Sequence, residues 1–340
     1  MDSRLWLEME SNMNIREFAQ YCGVSPATIS RYFSGNASMS PELNERIRKG
    51  VQKTGYQPSA KYQRRKSEYV GPIVTVIPYL HHRFQIDILS ELQKYCDELG
   101  RSMVILCYHE KQDPRVCLTQ IRALSPTGIV LLHEGGDTLF YKSLSDLDVP
   151  LVVCSGLSAT RQVPSVRIDD LTAAYDGANY LLGLGHRNIG IISDKAEAVG
   201  SGSQRIMGCR KALADAGLIL PEDNIAYAWY AFDDGYRGME TLLRRNLGIT
   251  AVFVFSDEMA AGAMACMHDQ GIRVPEDISV LGFDNGSQAL ETRPALSSVA
   301  QPVVQVARRS IDRLLETGHR NVETITLPHS IVARESCRQL

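Results

Sequence analysis

From residue 70 to residue 282, short β-branched apolar runs take turns with segments of helical periodicity. Val70–Ile77, Met103–Cys107, Gly128–Leu132, Leu151–Cys154, Ile189–Ser193, Ala251–Phe255 and Ile278–Gly282 read as strands. Ile86–Leu99, Val116–Leu124, Leu139–Leu147, Ala173–Leu184, Arg205–Ala216 and Met259–Gln270 read as helices, the first closed by Gly100 and the fourth by Gly185. Such alternation lets both faces of each strand be buried by parallel pairing, with helices covering the sheet on either side. Residues 69–340 are too many for one core, so two doubly wound units are expected. Ligands of such sheets lie beyond the carboxyl ends of the strands or in a cleft between two lobes. The polar and aromatic residues that follow predicted strands are therefore candidates: Tyr79, Ser155, Asp194, Ser256 with Asp257, and Asp284 with Asn285. Arg205 begins the helix after Ser193. Asp257 is read as a cap for a helix starting at Glu258.

The beginning of the chain is different in kind. Ile15, Phe18 and Ala19 have helical spacing, and Cys22-Gly23-Val24 interrupts them with a glycine suited to a tight turn. Ser25 is a good N-cap, and Pro26 occupies the first helical position, where a missing N–H costs nothing. That helix runs to Phe33 and stops at Gly35-Asn36. Ser40, Pro41 and Glu42 announce a third helix with the apolar stripe Leu43, Ile47 and Val51. The result is an all-α helix-turn-helix head whose second helix would enter a major groove.

Charge supports that reading. The formal net charge is −3, yet residues 13–66 carry ten Lys and Arg against Glu17, Glu42 and Glu45, a local +7 that leaves −10 for the rest. A basic head on an acidic body suits a polyanion at the head alone.

Other classes are excluded by what is missing. At 44% hydrophobic and 22% charged residues the chain is neither disordered nor a small disulfide scaffold. No run of about 18 apolar residues signals a membrane span. The opening MDSRLWLEME has no apolar core and is not read as a signal peptide. The eight cysteines are scattered without a C-x-x-C, which predicts reduced thiols in a cytoplasmic protein and no structural zinc. Gly183-Leu184-Gly185-His186-Arg187-Asn188 lacks the third glycine of a dinucleotide loop and follows a helix instead of a strand. His81-His82 is adjacent, a poor spacing for metal. No nucleophile elbow or H-E-x-x-H occurs, so neither an enzyme nor a cofactor is expected.

Residues 15–59, IREFAQYCGVSPATISRYFSGNASMSPELNERIRKGVQKTGYQPS, resemble the DNA-binding head of the lactose-repressor family of bacterial regulators. Ile15, Ala19, Gly23, Val24, Ser25, Thr28, Ile29, Ser30, Arg31, Tyr56 and Pro58 carry the family's pattern. The resemblance implies Pro26, Ala27 and Arg31 as base-facing positions. Arg31 suits a bidentate contact to guanine, Ala27 offers only a methyl, and Pro26 has no polar group. Ser25, Thr28 and Ser30 would meet phosphates, and Tyr56, in the closing Y-x-P, is counted among the DNA contacts. The family's hinge pattern ends in a wedge leucine. This chain has Ser59, Tyr62 and Arg65 there, which leaves a family-style minor-groove kink open, while Lys61, Arg64, Arg65 and Lys66 suit phosphates.

The body resembles the family's sensor domain, itself similar to periplasmic sugar-binding proteins. LGHRNIGII, QRIMGCRKALADAG, VFVFSDEMAAGAM, GIRVPEDISVLGFDN, LSSVAQPV and LPHSIVARES occur in the family's order. The resemblance implies an N-terminal extension at 1–12, a DNA-binding domain at 13–58 and a hinge at 59–68. Residues 69–340 would be a two-lobed effector-binding and dimerisation domain. Lobe one would take about 69–168 and 302–328, and lobe two about 169–301 and 329–340. It implies Arg205, Tyr230, Ser256, Asp284 and Gln301 as effector contacts, with Tyr79, Phe84, Ser155 and Arg167 on the other lobe. From the residues alone Arg205 is equally an ion-pair partner. The function implied is a homodimeric repressor of a double-stranded operator, controlled by a small molecule, with a sugar favoured. A purine- or phosphoprotein-responsive regulator, or a sugar binder with no DNA role, stands as the alternative.

Overall fold

The computed structural model describes residues 13–34, 40–54, 56, 71–80, 82–109, 111–132, 138–147, 149–158, 163–194, 200–316 and 323–340. The chain divides into two compact units at the Val70–Gly71 link. The predicted contacts of residues 57–70, including Ser59, Lys61, Tyr62, Arg64, Arg65 and Lys66, lie outside the described residues, as do residues 1–12.

The first unit is three helices, α1 (Ile15–Tyr21), α2 (Pro26–Ser34) and α3 (Pro41–Thr54). Asn14 and Glu17 form a reciprocal capping box at the start of α1: Asn14 Oδ1 accepts from the backbone of Arg16 and Glu17, and Glu17 Oε2 accepts from the backbone of Asn14. Gly23 makes the turn with φ +62°, a conformation that costs glycine little. Ser25 caps α2 by accepting from Thr28 N at 3.1 Å. Phe18, Ala19, Cys22, Ile29, Ile47 and Tyr56 form a closed core, with Phe18 stacked on Tyr56 at 4.0 Å. A Cβ on Gly50 would lie 2.7 Å from Cys22 Sγ, so glycine lets α3 approach the turn. This core is small, and each buried side chain carries a large share of the head's stability.

The second unit holds two six-stranded sheets. The first orders its strands β11 (Ile325–Leu327), β5 (Ser165–Ile168), β4 (Leu151–Cys154), β3 (Gly128–Leu131), β1 (Ile73–Ile77) and β2 (Met103–Cys107), all parallel. Helices α4 (Arg83–Glu98), α5 (Pro114–Leu124), α6 (Thr138–Ser145) and α12 (Val303–Leu315) belong to this lobe. The pleat sorts β1 by alternation: Ile73 and Ile77 join the core beneath α4 and α12, while Val74 and Val76 join the one beneath α5 and α6.

The second sheet runs β12 (Ser330–Val332), β10 (Ser297–Ala300), β9 (Ser279–Asp284), β8 (Ala251–Val254), β6 (Ile189–Ser193) and β7 (Ile225–Tyr227), with only β12 antiparallel. Helices α7 (Asp170–Gly183), α8 (Ser201–Asp215), α9 (Phe232–Arg244), α10 (Asp257–Asp269) and the short α11 (Gln288–Glu291) flank it. Both sheets are thus doubly wound. The chain passes between lobes three times, at Ile168–Asp170, Ala300–Val303 and Leu327–Ser330. The eight cysteines are unpaired. Among the described residues no helix is long and apolar enough to cross a membrane.

Candidate functional site

The carboxyl ends of the two sheets face each other. His82, just before α4 in lobe one, meets the Tyr230 ring of lobe two edge-on at 5.7 Å. Arg83 at the start of α4 donates its backbone N–H to Glu258 Oε2 at 3.3 Å and its guanidinium to Ser287 at 3.3 Å, with Glu291 3.6 Å away. Four of the six non-glycine residues with positive φ among the described residues also lie at this face: Ser155, Tyr230, Asp284 and Asn285. Backbone held in such conformations marks places where side-chain direction matters more than local stability.

The floor of the cleft is built around Arg205 on α8. Its Nε and Nη2 both reach Asp170 Oδ1 at 2.8 Å, Nη1 donates to the Phe255 carbonyl at 2.8 Å, and the guanidinium lies 3.7 Å over the Phe283 ring. Arg205 and Asp170 are each about 5% exposed, so this is a buried ion pair. Arg167 joins it from β5, 3.8 Å from Asp170. Gln301 donates to Asp284 Oδ1 at 2.8 Å. Asp194, just beyond β6, accepts from Ser193 at 3.2 Å and from the Tyr230 hydroxyl, which also lies 3.3 Å from Ser201.

Burial pushes the Asp194 carboxyl above the usual carboxylate range, against the opposing pull of Arg205 and Tyr230. Burial also raises Asp284 well above it, reinforced by the neighbouring Asp257. Asp257 is pushed up to about 7 by burial, although Ser298 and the Gly286 N–H donate to it at 2.6 and 2.8 Å.

The crossings between lobes carry polar ties of their own. Asp170 and Arg167 lie at the first, Gln301 at the second, and His329 at the third, where its Nε2 is 3.0 Å from Asp176.

Thus Arg205, Tyr230, Asp284, Gln301 and Arg167 gather into one polar neighbourhood. Ser256 is buried, and its hydroxyl caps α10 by accepting from Met259 N at 3.1 Å. That corrects the capping role expected of Asp257, which is instead the first residue of the helix and turns into the core toward Ser298. In lobe one, Ser155 follows β4, Tyr79 is exposed and stacks on His109 at 5.4 Å, and Phe84 packs against the core. Asp170 escaped the sequence reading. It follows Asp169, which caps α7 through Thr172 N, and two acids opening a helix resemble a cap with a first-turn charge.

On the head, Ser25, Pro26 and Ala27 are exposed at the start of α2, and Thr28 is half-buried with its hydroxyl 2.8 Å from Ser25 Oγ. Ser30 and Arg31 lie on α2, and their side chains are outside the described part. Tyr56 is not a surface contact. It is 5% exposed and stacked on Phe18, because closing a small core needs a large ring.

Comparison with known proteins follows the same division. Residues 14–59 match the family described as bacterial regulatory proteins, lacI family, and residues 178–337 match a periplasmic binding protein-like domain. The HTH-type transcriptional repressor CytR of Escherichia coli (strain K12) is 30% identical over 312 residues, 91% of this chain and 91% of that protein. Catabolite control protein A of Priestia megaterium is 29% identical over 333 residues, 96% of this chain and all of that protein. The solved complex of the transcriptional regulator CelR with cellobiose is 25% identical, with a TM-score of 0.72 over 96% of this chain and all of that one.

Proposed function

Because the chain belongs to the lacI family of bacterial regulatory proteins, and is a transcription regulator of that family, we propose that it is a homodimeric repressor released from its operator by a sugar held between the sensor lobes. The observation that carries the reading is the floor of the cleft. A fixed guanidinium, two carboxylates, an amide and a tyrosine lie at the carboxyl ends of a doubly wound sheet. Such a set matches the alternating donors and acceptors of a polyol, and Tyr230 supplies a ring face. The cellobiose complex of a relative supports the same ligand class. Ligand closure would change the lobe angle and with it the relation of the two heads, so ligand and operator affinities are coupled reciprocally.

The dimer is assigned to the outer face of α10, between α9 and α11 and beside the start of α4. A groove of about 610 Å³ opens there, lined by Arg83, Phe232, Ala261, Met264, Ala265 and His268 among others. An apolar floor bounded by Arg83, Arg293, Glu258 and Glu291 suits a self-complementary two-fold contact. Two copies would present two heads to a near-palindromic site.

The test is selection from random duplex DNA by the full-length protein at moderate salt, followed by release with a panel of neutral sugars. A two-fold symmetric site is expected, with a guanine in each half that Arg31→Ala no longer requires. Release by one sugar, abolished in Arg205→Ala, is expected next. Failure to enrich any sequence, or release that ignores Arg205, overturns the reading.

A further inference from the structure

Among the described residues, the floor of lobe two holds more acid than its guanidinium neutralises. Asp170, Asp194 and Asp284 all lie within electrostatic reach of Arg205. Arg205 already has its counter-ion. Asp170 takes two of its nitrogens, the Phe255 carbonyl takes the third, and Phe283 covers one face. Arg167 also turns to Asp170, Arg334 donates to Asn285 at 2.6 Å, and Arg83 faces Glu291. These four guanidinia already have acceptors within the protein, and an anionic ligand would compete with those acceptors.

Asp194 and Asp284 are different. Their hydrogen bonds come from neutral donors: Ser193 and Tyr230 for the first, Gln301 for the second. Asp194 is also built into the fold. A side chain at Gly202, in the first turn of α8, would collide with its carboxylate, so glycine there makes room for it. Tyr230, which bonds Asp194, is held at φ +22° and forms the contact with His82 across the cleft. The carboxylate thus lies at the hydroxyl end of the Tyr230 ring, near the place where the lobes meet.

An ionised carboxylate only accepts hydrogen bonds. A hydroxyl or ammonium satisfies it, whereas a phosphate or carboxylate in the same place meets like charge at low dielectric. Resting on the sugar reading above, we propose that Asp194 is a specificity-determining residue: its carboxylate selects a hydroxyl-rich effector that carries no phosphate or carboxylate. The class is a free sugar or its amine derivative rather than a sugar phosphate or a uronate.

The experiment titrates the full-length protein calorimetrically with matched probes: glucose and glucose 6-phosphate, ribose and ribose 5-phosphate, trehalose and trehalose 6-phosphate, cellobiose and cellobiose 6-phosphate. One neutral member should bind, and its phosphate should bind at least about 100-fold more weakly. In Asp194→Asn, checked for folding by circular dichroism, the gap should narrow at least about tenfold because the like charge is gone. A phosphate that binds the unmodified protein as tightly as its neutral partner overturns this proposal and leaves the sugar reading standing. That outcome needs no variant. Binding by no member of any pair, with the protein folded and operator-competent, overturns the sugar reading and the proposal with it.

Discussion

Replacing Arg205 with methionine keeps the side chain's apolar volume and removes its charge. Asp170 is then left about 5% exposed without its main partner, and the Phe255 carbonyl loses its donor. Breaking a buried pair from one side costs about 3–5 kcal/mol. A second route caps that loss, since a stranded carboxylate can take up a proton. An ordinary aspartate titrates near 3.9, so keeping one protonated costs about 4 kcal/mol at pH 7 and about 1.5 kcal/mol at pH 5. The orphaned carbonyl adds about 1 kcal/mol at either pH. The expected destabilisation is therefore about 4–5 kcal/mol at pH 7, falling by roughly 2–3 kcal/mol at pH 5. Urea unfolding followed by circular dichroism at the two pH values measures it. The double variant Arg205→Met with Asp170→Asn should recover about 2 kcal/mol or more at pH 7, because no charge is then buried alone. A loss below about 1 kcal/mol, or the same loss at both pH values, would refute the reasoning. Asp170 would then be solvated, or Arg167 would replace the missing guanidinium.

Four further outcomes are expected. Ile47→Ala should unfold the head about 2–5 kcal/mol more easily and abolish operator binding, while calorimetric titration of the sensor with its ligand stays unchanged. Gly208→Ala should lower the Tm of the sensor, since its Cβ would meet the Leu171 carbonyl and lie 2.9 Å from Tyr175 N; overpacking of this kind costs about 1–3 kcal/mol. Gly183→Ala, on a helix with nothing within 4 Å, should instead be neutral or stabilise by about 0.5 kcal/mol. Asp257→Asn tests the raised carboxyl. Its proton is bound more tightly when folded, so its contribution is present below pH 4 and is lost as pH rises toward 7. The Tm of the asparagine variant should gain on that of the unmodified protein between pH 5 and pH 7, and a constant difference would count against the assignment.

Local order in this protein is written in local patterns. The alternation of apolar runs and helical stripes was enough for two doubly wound units, because pleat and helix repeats depend on neighbours in the chain. The caps at Ser25, Pro26 and Ser40 marked two of the head's helices for the same reason. The Asn14–Glu17 box had an equally local pattern and was passed over. Strand β5 and the short β7, β11 and β12 were less legible, since strands of three or four residues barely complete a period.

Partnerships came from the tertiary structure. Arg205 could equally have gripped a ligand or paired within the protein, and only the fold brings Asp170, 35 residues earlier, under its guanidinium. Asp169 and Asp170 are the same residue type side by side, yet one caps a helix and the other neutralises an arginine. Asp194 was visible merely as a polar residue after a strand, and its place beside the Tyr230 hydroxyl and against α8 depends on three separate elements. Secondary structure follows from short-range sterics and the pattern of apolar side chains, which the sequence states directly. Which charges meet, and how much water they keep, depends on distances between elements far apart in the chain, and those exist only once the sheets have packed.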